Sequence, residues 1–254
     1  MRLNIVEAGQ GPPVVLLHGL FGAAQNWGAI QRRLAARHRV LALDLRNHGS
    51  SPRDAVMDYP AMAADVAETI AGVTAAPAAV VGHSMGGKVA MALALAEPQL
   101  VSRLVVADIA PVTYPPVLRA YVEAMQAITL RPGLSRRDAD ASLADTIPEP
   151  GIRAFLVQNL RLQDDPPSWR LALDEIAEAM PALEDFPEFQ ARYDGPVLVI
   201  AGERSGYIRP AHEPRFHALF PAARFVTVPG AGHWVHAENP AGFLGLLEPF
   251  LDAA

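Results

Sequence analysis

The sequence predicts an α/β fold, with a mostly parallel central sheet flanked by helices and a helical insertion between two core strands. Short apolar runs alternate with longer amphipathic stretches, as they do when helices connect parallel strands. Residues 111–193 break that alternation, because they contain helical segments and Pro- or Gly-containing breaks but no strand-like run of Val, Ile and Leu. We therefore expect one domain built from residues 1–110 and 194–254, with residues 111–193 as an inserted helical cap.

Six short apolar runs are typical of strands that are buried on both faces of a parallel sheet. Each run stops at an Asp, a Gly or a pair that contains Gly. The predicted strands are residues 14–17, 40–43, 78–81, 104–107, 197–201 and 224–228. Residues 2–8 are expected to add an antiparallel edge strand.

Four longer stretches outside the insertion are predicted to be helices. They are residues 26–37, 62–75, 85–96 and 239–251. Asp58 and Pro60 precede the second of these helices and suit its capping position and first turn. Asn239 followed by Pro240 is a start signal for the last helix.

The composition excludes several classes of protein. The 254 residues are 51% hydrophobic, which allows a large core. A net charge of −6 without a basic stripe argues against nucleic acid as a partner. Because there is no Cys and no H-E-x-x-H spacing, we expect no disulfide, metal site or cofactor.

The sequence also predicts where the protein is found. No apolar run approaches about 18 residues and residues 1–7 lack a signal core, so we expect a cytoplasmic protein without a membrane partner. The oligomeric state is left open.

The motif Gly82-x-Ser84-x-Gly86 lies directly between a predicted strand and a predicted helix. This context is that of a nucleophile elbow, a strained turn that raises the Ser hydroxyl above the carboxyl edge of the sheet. Glycines on both sides are needed because side chains would clash inside so tight a turn. Ser84 is therefore the predicted nucleophile.

A serine hydroxyl needs a base that takes its proton. His233 lies in the loop after the last predicted strand, and that loop belongs to the same edge of the sheet as Ser84. The chain order, with the nucleophile before the base, also fits a catalytic His233. His236, three residues further on, is expected to be structural.

The oxyanion that develops during acyl transfer needs N–H donors. The amide of Met85, at the start of the helix after the nucleophile, is one candidate. The second donor is expected from the loop at residues 18–22, where Leu20 is the first choice and Phe21 the second. His18 is expected to shape this loop rather than to take part in the chemistry.

Several of these stretches together resemble one family. They are residues 18–22, 44–52, 82–91, 108–112 and 231–236. The chain resembles the α/β-hydrolase superfamily and, within it, the YbfF-type bacterial esterases and the ABHD-type hydrolases of animals. The resemblance implies an α/β-hydrolase fold with a helical cap over the active site. It also implies hydrolysis of carboxylic esters, usually with small acyl groups, and sometimes of acyl-CoA thioesters.

The chain departs from the superfamily at the position of the triad acid. That acid usually ends a G-x-x-D after the strand that follows the cap, but residues 202–205 read Gly-Glu-Arg-Ser. Asp108, which ends the preceding core strand at the same edge, is therefore the predicted acid. The resemblance to YbfF-type esterases implies the same place for the acid, with Ser205 also touching His233. Glu203 is the competing acid.

Other residues have weaker signals. Acyl-pocket candidates are Phe21, Phe155, Leu156, Leu160 and Trp169. Lys88 is expected to pair with a carboxylate, and Arg46 and His48 are expected to hold loops together. Inward-facing arginines in the cap would favour an anionic substrate, and the candidates are Arg119, Arg153 and Arg161.

The leading functional hypothesis is a carboxylic ester hydrolase that works through a Ser–His–Asp triad and an acyl-enzyme on small-molecule esters with short acyl chains. Two enzyme alternatives keep the triad, namely an acyl-CoA thioesterase and a hydrolase of carbon–carbon bonds. A non-catalytic ligand receptor of the same fold is the alternative from a different class. It would not require both Ser84 and His233. A dehalogenase is disfavoured because its nucleophile is Asp.

Overall fold

Residues 1–253 are described by a computed structural model of the chain. The part before the insertion alternates strands and helices, as the apolar pattern predicts. Its elements are β1 (Ile5–Ala8), β2 (Pro13–Leu17), α1 (Gly28–Leu34), β3 (Arg39–Leu43), α2 (Tyr59–Ala71), β4 (Ala78–His83), α3 (Met85–Ala96) and β5 (Val101–Ala107). A short 3-10 turn, Ala24–Trp27, precedes α1.

The insertion is mainly helical and also contains a short hairpin. Its elements are α4 (Arg119–Gln126), α5 (Arg136–Leu143), α6 (Pro150–Val157), β6 (Leu160–Arg161), β7 (Ser168–Trp169) and α7 (Leu173–Glu184). The strands β6 and β7 pair antiparallel over two residues each. So short a pairing leaves no strand pattern in the sequence, which explains why the sequence predicted helices alone.

The chain then returns to the sheet. The remaining elements are β8 (Val197–Gly202), α8 (Glu213–Leu219), β9 (Ala223–Val228), α9 (Val235–Glu238) and α10 (Pro240–Asp252). The sheet has seven strands in the order β1-β3-β2-β4-β5-β8-β9. β1 pairs antiparallel with β3, and all other neighbours in this sheet are parallel. The predicted α/β fold with a mostly parallel sheet is confirmed.

Both faces of the sheet are covered, which explains the continuous apolar runs. In β2, Val15 and Leu17 belong to one buried cluster, together with residues of α2, α3 and the insertion. Val14 and Leu16 belong to the other, with residues of α1 and α10. Burying a side chain of this size contributes about 1.5–3 kcal/mol, so successive residues of each strand stabilise opposite layers.

Helix ends account for most differences from the expected boundaries. The predicted helix 62–75 begins earlier, at Tyr59, because the Asp58 side chain accepts a hydrogen bond from the Ala61 N–H at 2.8 Å and caps the helix there. The predicted helix 26–37 is split into the 3-10 turn and α1. The helix α8 was not predicted. Asn239 caps α10 by accepting from the Gly242 N–H at 2.9 Å, as its start signal indicated.

The insertion lies over the carboxyl edge of the sheet and is hydrogen-bonded to the loops there. The Asn159 side chain donates to the Phe21 carbonyl oxygen at 2.9 Å, and the Tyr59 hydroxyl donates to the Leu183 carbonyl oxygen at 2.6 Å. One buried cluster contains residues of both the sheet and the insertion. Within residues 1–253, no helix is both long and apolar enough to span a membrane.

Candidate active site

The turn between β4 and α3 holds Ser84 in a strained conformation, with φ of 53° and ψ of −123°. Non-glycine residues rarely adopt this region of backbone space. An ideal Cβ on Gly82 would lie 2.1 Å from the Gly86 carbonyl oxygen, and one on Gly86 would lie 2.4 Å from the Leu17 carbonyl oxygen. Both flanking positions therefore exclude any side chain, as the motif implied.

Three predicted residues meet at the carboxyl edge of the sheet. His233 Nε2 lies 3.1 Å from Ser84 Oγ, and His233 Nδ1 lies 2.8 Å from Asp108 Oδ2. Asp108 directly follows β5 and is fully buried. This arrangement of hydroxyl, imidazole and carboxylate is that of a serine hydrolase triad.

The Asp108 carboxylate is compensated by several hydrogen-bond donors. Its Oδ1 accepts from the Gly202 N–H at 3.0 Å, and its Oδ2 accepts from the Ser205 hydroxyl as well as from His233. A buried carboxylate is stable only with such partners. The backbone of Asp108 has a φ of 52°, a positive angle like that of Ser84 and one that residues with a side chain rarely adopt.

Ser205 makes a different contact from the one expected, and Glu203, the competing acid, lies away from the imidazole. Ser205 was expected to touch His233, but its hydroxyl donates to Asp108 instead and has no hydrogen bond to the imidazole. Glu203 Oε2 accepts from the Gly230 N–H at 2.7 Å and has no hydrogen bond to His233. The geometry therefore favours Asp108 over Glu203 as the partner of the imidazole.

Two residues that the sequence analysis did not single out hold His233 in place. The Tyr207 ring is stacked on the imidazole, with centroids 4.0 Å apart and an interplanar angle of 22°. His83 Nε2 lies 2.8 Å from the His233 carbonyl oxygen. Burial lowers the pKa of His83 well below its ordinary value, so the ring is neutral and Nε2 carries the hydrogen that it donates. The only sequence signal for His83 was its place inside the elbow motif.

Hydrogen bonding in the loop after β2 distinguishes between Leu20 and Phe21 as the second oxyanion donor. The Phe21 N–H donates to His48 Nε2 at 3.2 Å, so it is already engaged. The His48 ring is oriented by its Nδ1, which donates to the Arg46 carbonyl oxygen at 2.8 Å, and burial lowers its pKa to about 3. The amides of Leu20 and Met85 donate to no atom of residues 1–253. They are therefore available to a ligand.

His18 and Arg46 have the structural roles that were expected. His18 Nδ1 lies 2.8 Å from the Gly19 carbonyl oxygen, and its Nε2 accepts from the Leu45 N–H at 3.0 Å. Arg46 pairs with the buried Asp65, with Nε 2.6 Å from Oδ2. Both contacts fix the loops that surround the site.

Two cavities meet at Ser84. The first cavity has a volume of about 330 Å³, and His18, His83, His233, Trp234 and His236 contribute to its wall. The second cavity has a volume of about 260 Å³, and Tyr59, Met85, Lys88, Tyr114 and Arg209 contribute to its wall. Leu20, Ser84, Val117, Leu118 and Tyr207 line both.

Three of the five predicted acyl-pocket residues line the first cavity, namely Phe21, Phe155 and Leu156. Leu160 and Trp169 line neither cavity, and their prediction is corrected. They face each other across the β6–β7 hairpin and are buried in its packing.

Lys88 was expected to pair with a carboxylate, and this is wrong. Its Nζ donates to the carbonyl oxygens of Glu184 at 3.1 Å and Asp185 at 2.6 Å, at the carboxyl end of α7. It also lies 5.4 Å from the ring centroid of Tyr59 and 5.0 Å from that of Tyr114. Burial lowers the pKa of Lys88 to about 7.

The three arginines considered for an anionic substrate line neither cavity. Arg119 pairs with Glu184, Arg153 pairs with Asp140, and Arg161 donates to the Gly49 carbonyl oxygen. Within the described residues, no group of three or more His, Asp or Glu side chains is arranged to hold a metal ion.

Comparison with known proteins identifies the family. A family model described as "Alpha/beta hydrolase family" matches residues 14–246. The chain belongs to this family. The resemblance predicted from the sequence is confirmed.

Individual members of the α/β-hydrolase family are similar over nearly the whole chain. The sn-1-specific diacylglycerol lipase ABHD11 of Xenopus laevis is 44% identical over 252 residues, which cover 96% of this chain and 81% of that protein. Esterase YbfF of Escherichia coli (strain K12) is 37% identical, with 99% of this chain and 100% of that protein covered. A solved structure named "Marine microorganism esterase" has a TM-score of 0.95 and 33% identity, and covers 99% of this chain and 100% of that one. The chain is thus an α/β-hydrolase of the esterase and lipase type.

Proposed function

We propose that the protein hydrolyses carboxylic esters through an acyl-enzyme formed on Ser84. The observation that carries this proposal is the hydrogen-bonded chain from Ser84 Oγ through His233 to the buried Asp108, beside two free backbone amides. Each element of acyl transfer then has a group in reach. These elements are a nucleophile, a base, a charge that stabilises the protonated base, and donors for the oxyanion.

The reaction proceeds in two halves. Ser84 Oγ attacks the carbonyl carbon while His233 Nε2 takes its proton, and Asp108 stabilises the resulting imidazolium. The negative oxygen of the tetrahedral intermediate accepts hydrogen bonds from the Leu20 and Met85 amides. The imidazolium then gives its proton to the departing alkoxide. Water attacks the acyl-enzyme by the same steps, so that one ester and one water yield an acid and an alcohol.

The insertion acts as a cap that shapes the substrate site. Val117, Leu118, Tyr121, Ile152, Phe155 and Leu156 of the insertion line the first cavity. Met180 and Leu183 from α7 line the second. We infer that this cap, residues 111–193, determines which esters fit, whereas the remaining residues supply the chemistry.

Short-acyl esters of small alcohols are the proposed substrates. Volumes of about 330 and 260 Å³ are at or below the lower end of the ~300–1,000 Å³ that is typical of small-ligand pockets. The relative from Xenopus laevis is named for a diacylglycerol, which is also a carboxylic ester. An acyl-CoA thioester is less well supported, because the three cap arginines that would favour an anionic group bind elsewhere.

Covalent labelling tests the proposal. A fluorophosphonate should add once per chain, at the peptide that contains Ser84, and p-nitrophenyl butyrate should be hydrolysed. Ser84→Ala should lose both properties, whereas Ser168→Ala removes a hydroxyl outside both cavities and should keep them. Labelling that persists in Ser84→Ala would overturn the assignment of the nucleophile.

A further inference from the structure

The leaving group of an ester departs on the side of His233, because the imidazolium gives its proton to the departing oxygen. The first cavity is lined by both Ser84 and His233. The second is lined by Ser84 and Met85 but not by His233. On the proposed function, the alcohol part of an ester therefore occupies the first cavity and the acyl part occupies the second. Phe21, Phe155 and Leu156 then contact the alcohol part and not the acyl chain that the sequence predicted for them.

Two further histidines, His83 and His236, line the first cavity, and their ring centroids are 4.7 Å apart. Burial is the largest cause that lowers the pKa of each, and it lowers the pKa of His236 to about 3. Both rings are therefore neutral near pH 7. A neutral imidazole has one N–H donor and one nitrogen that accepts.

The acceptor nitrogen of His83 lies beside the nucleophile. Because Nε2 of this ring donates to the His233 carbonyl oxygen, Nδ1 carries the lone pair. An ideal Cβ on Gly19 would lie 3.1 Å from this Nδ1 and 3.1 Å from the Ser84 Cβ. Because Gly19 has no side chain, no Cβ blocks this nitrogen, and Nδ1 is not among the fully buried unpartnered atoms of residues 1–253.

The His236 ring has no hydrogen-bond partner of its own. It is 6% exposed and is stacked on Trp27, with centroids 4.3 Å apart. Its Nδ1 is fully buried without a partner and is out of reach of a ligand, whereas its Nε2 is not fully buried and forms no hydrogen bond within residues 1–253. Buried polar groups in folded proteins nearly always have a partner. His236 and Ser84 line the same cavity, so a ligand in that cavity can supply the missing partner of Nε2.

We propose that His83 and His236 form a hydroxyl-binding site in the first cavity, which selects esters whose alcohol part carries a second hydroxyl group. A hydroxyl donates one hydrogen bond and accepts others. It donates to His83 Nδ1 and accepts from the Nε2–H of His236. An apolar alcohol of the same size leaves these nitrogens unpaired, and a polar site discriminates against such an analogue. This inference rests on the proposed function.

Matched esters test the inference. We would measure kcat/KM for 2-hydroxyethyl, 3-hydroxypropyl and 4-hydroxybutyl butyrate against propyl, butyl and pentyl butyrate, which have the same numbers of heavy atoms. The hydroxylated ester should be preferred about tenfold at the length that reaches the histidines, since one net hydrogen bond is worth about that factor. His236→Phe keeps an aromatic ring against Trp27 and should reduce the preference to about onefold or below. His236→Asn keeps a donor and an acceptor and should restore part of it.

The control is His217→Phe, the same substitution at an exposed position that lines neither cavity, and it should keep the wild-type ratio. A wild-type ratio of about one at every length would overturn the inference, and so would a preference that survives in His236→Phe. If His236→Phe does not fold, His236→Leu replaces it in the same comparison. Absence of hydrolysis of both ester series would overturn the proposed function and this inference with it.

Discussion

The Ser205 hydroxyl donates a hydrogen bond to Asp108 Oδ2, the same carboxylate oxygen that accepts from His233 Nδ1. Ser205 therefore acts on the imidazole only through the carboxylate. It lies three residues after Gly202, at the position where the resemblance to the superfamily places the acid, and on the proposed function it supports Asp108 in that role.

Asp108→Asn should reduce kcat by about 10³- to 10⁴-fold. The amide keeps the shape of the side chain, but it favours the wrong tautomer of His233 and no longer stabilises the imidazolium. The measurement is the turnover of p-nitrophenyl butyrate at saturating substrate. Circular dichroism must first show a folded variant, because Asp108 lies at the end of a core strand. A loss below tenfold would refute the assignment of the acid.

Ser205→Ala should reduce kcat by about 10-fold, because it removes one hydrogen bond to a charged carboxylate but leaves the Asp108–His233 bond intact. Glu203→Gln is the matched control at the competing acid. It should cost less than about threefold, since Glu203 binds only the Gly230 N–H. If Glu203→Gln proved more damaging than Asp108→Asn, Glu203 rather than Asp108 would be the acid.

The buried neutral His236 should make the protein sensitive to acid. Its pKa is about 3 in the folded state, against about 6.5 in the unfolded chain, so the unfolded state alone takes up a proton between these values. Its contribution to stability is therefore present above pH 6.5 and is lost as the pH falls toward 3. Relative to His236→Phe, the wild type should lose about 2–3 kcal/mol of unfolding free energy between pH 7.5 and pH 4.5.

Urea unfolding at the two pH values measures this difference. His217→Phe, at an exposed position, is the control and should leave the pH dependence of wild type unchanged. Parallel pH curves for wild type and His236→Phe would show that the ring is not held neutral.

Lys88 should have an effect of the same sign at alkaline pH, because its pKa is also lowered in the folded state. Its pKa is about 7 in the folded state and about 10.5 in the unfolded chain, so between these values only the unfolded state is protonated. The free energy of unfolding rises with pH in this window. Relative to Lys88→Met, the wild type should gain about 2 kcal/mol between pH 7 and pH 9, as measured by urea unfolding. A difference that does not change with pH would contradict the low pKa.

Esters with acyl chains of about two to six carbons should have the highest kcat/KM, because the second cavity is small. Met180→Ala, which shortens a side chain in its wall, should shift the optimum toward longer chains. Leu160→Ala is the control, since Leu160 is buried outside both cavities and should change stability rather than chain-length preference. A steady rise in kcat/KM toward long-chain esters would contradict the assignment of this cavity.

The sequence was sufficient for features that depend on chain order and local pattern. The elbow at Ser84 follows from a motif between a strand and a helix, and the place of His233 follows from the loop after the last strand. Contacts that depend on side-chain conformation could not be predicted from the sequence. The sequence alone could not show that Ser205 turns to Asp108, that Lys88 reaches two carbonyl oxygens, or that Trp169 packs inside a hairpin.

The positive φ angles of Ser84 and Asp108 have a consequence for how thermal stability could evolve. Each conformation costs of order 1–3 kcal/mol for a residue with a side chain, and glycine would adopt it without that cost. On the proposed function, Ser84→Gly removes the nucleophile and Asp108→Gly removes the acid, while each relieves this strain. Selection for thermal stability alone would favour such inactive variants wherever the relief exceeds the entropy cost of glycine and the lost hydrogen bonds. Where it does, retaining the two side chains lowers the melting temperature, and only selection for ester hydrolysis would maintain them.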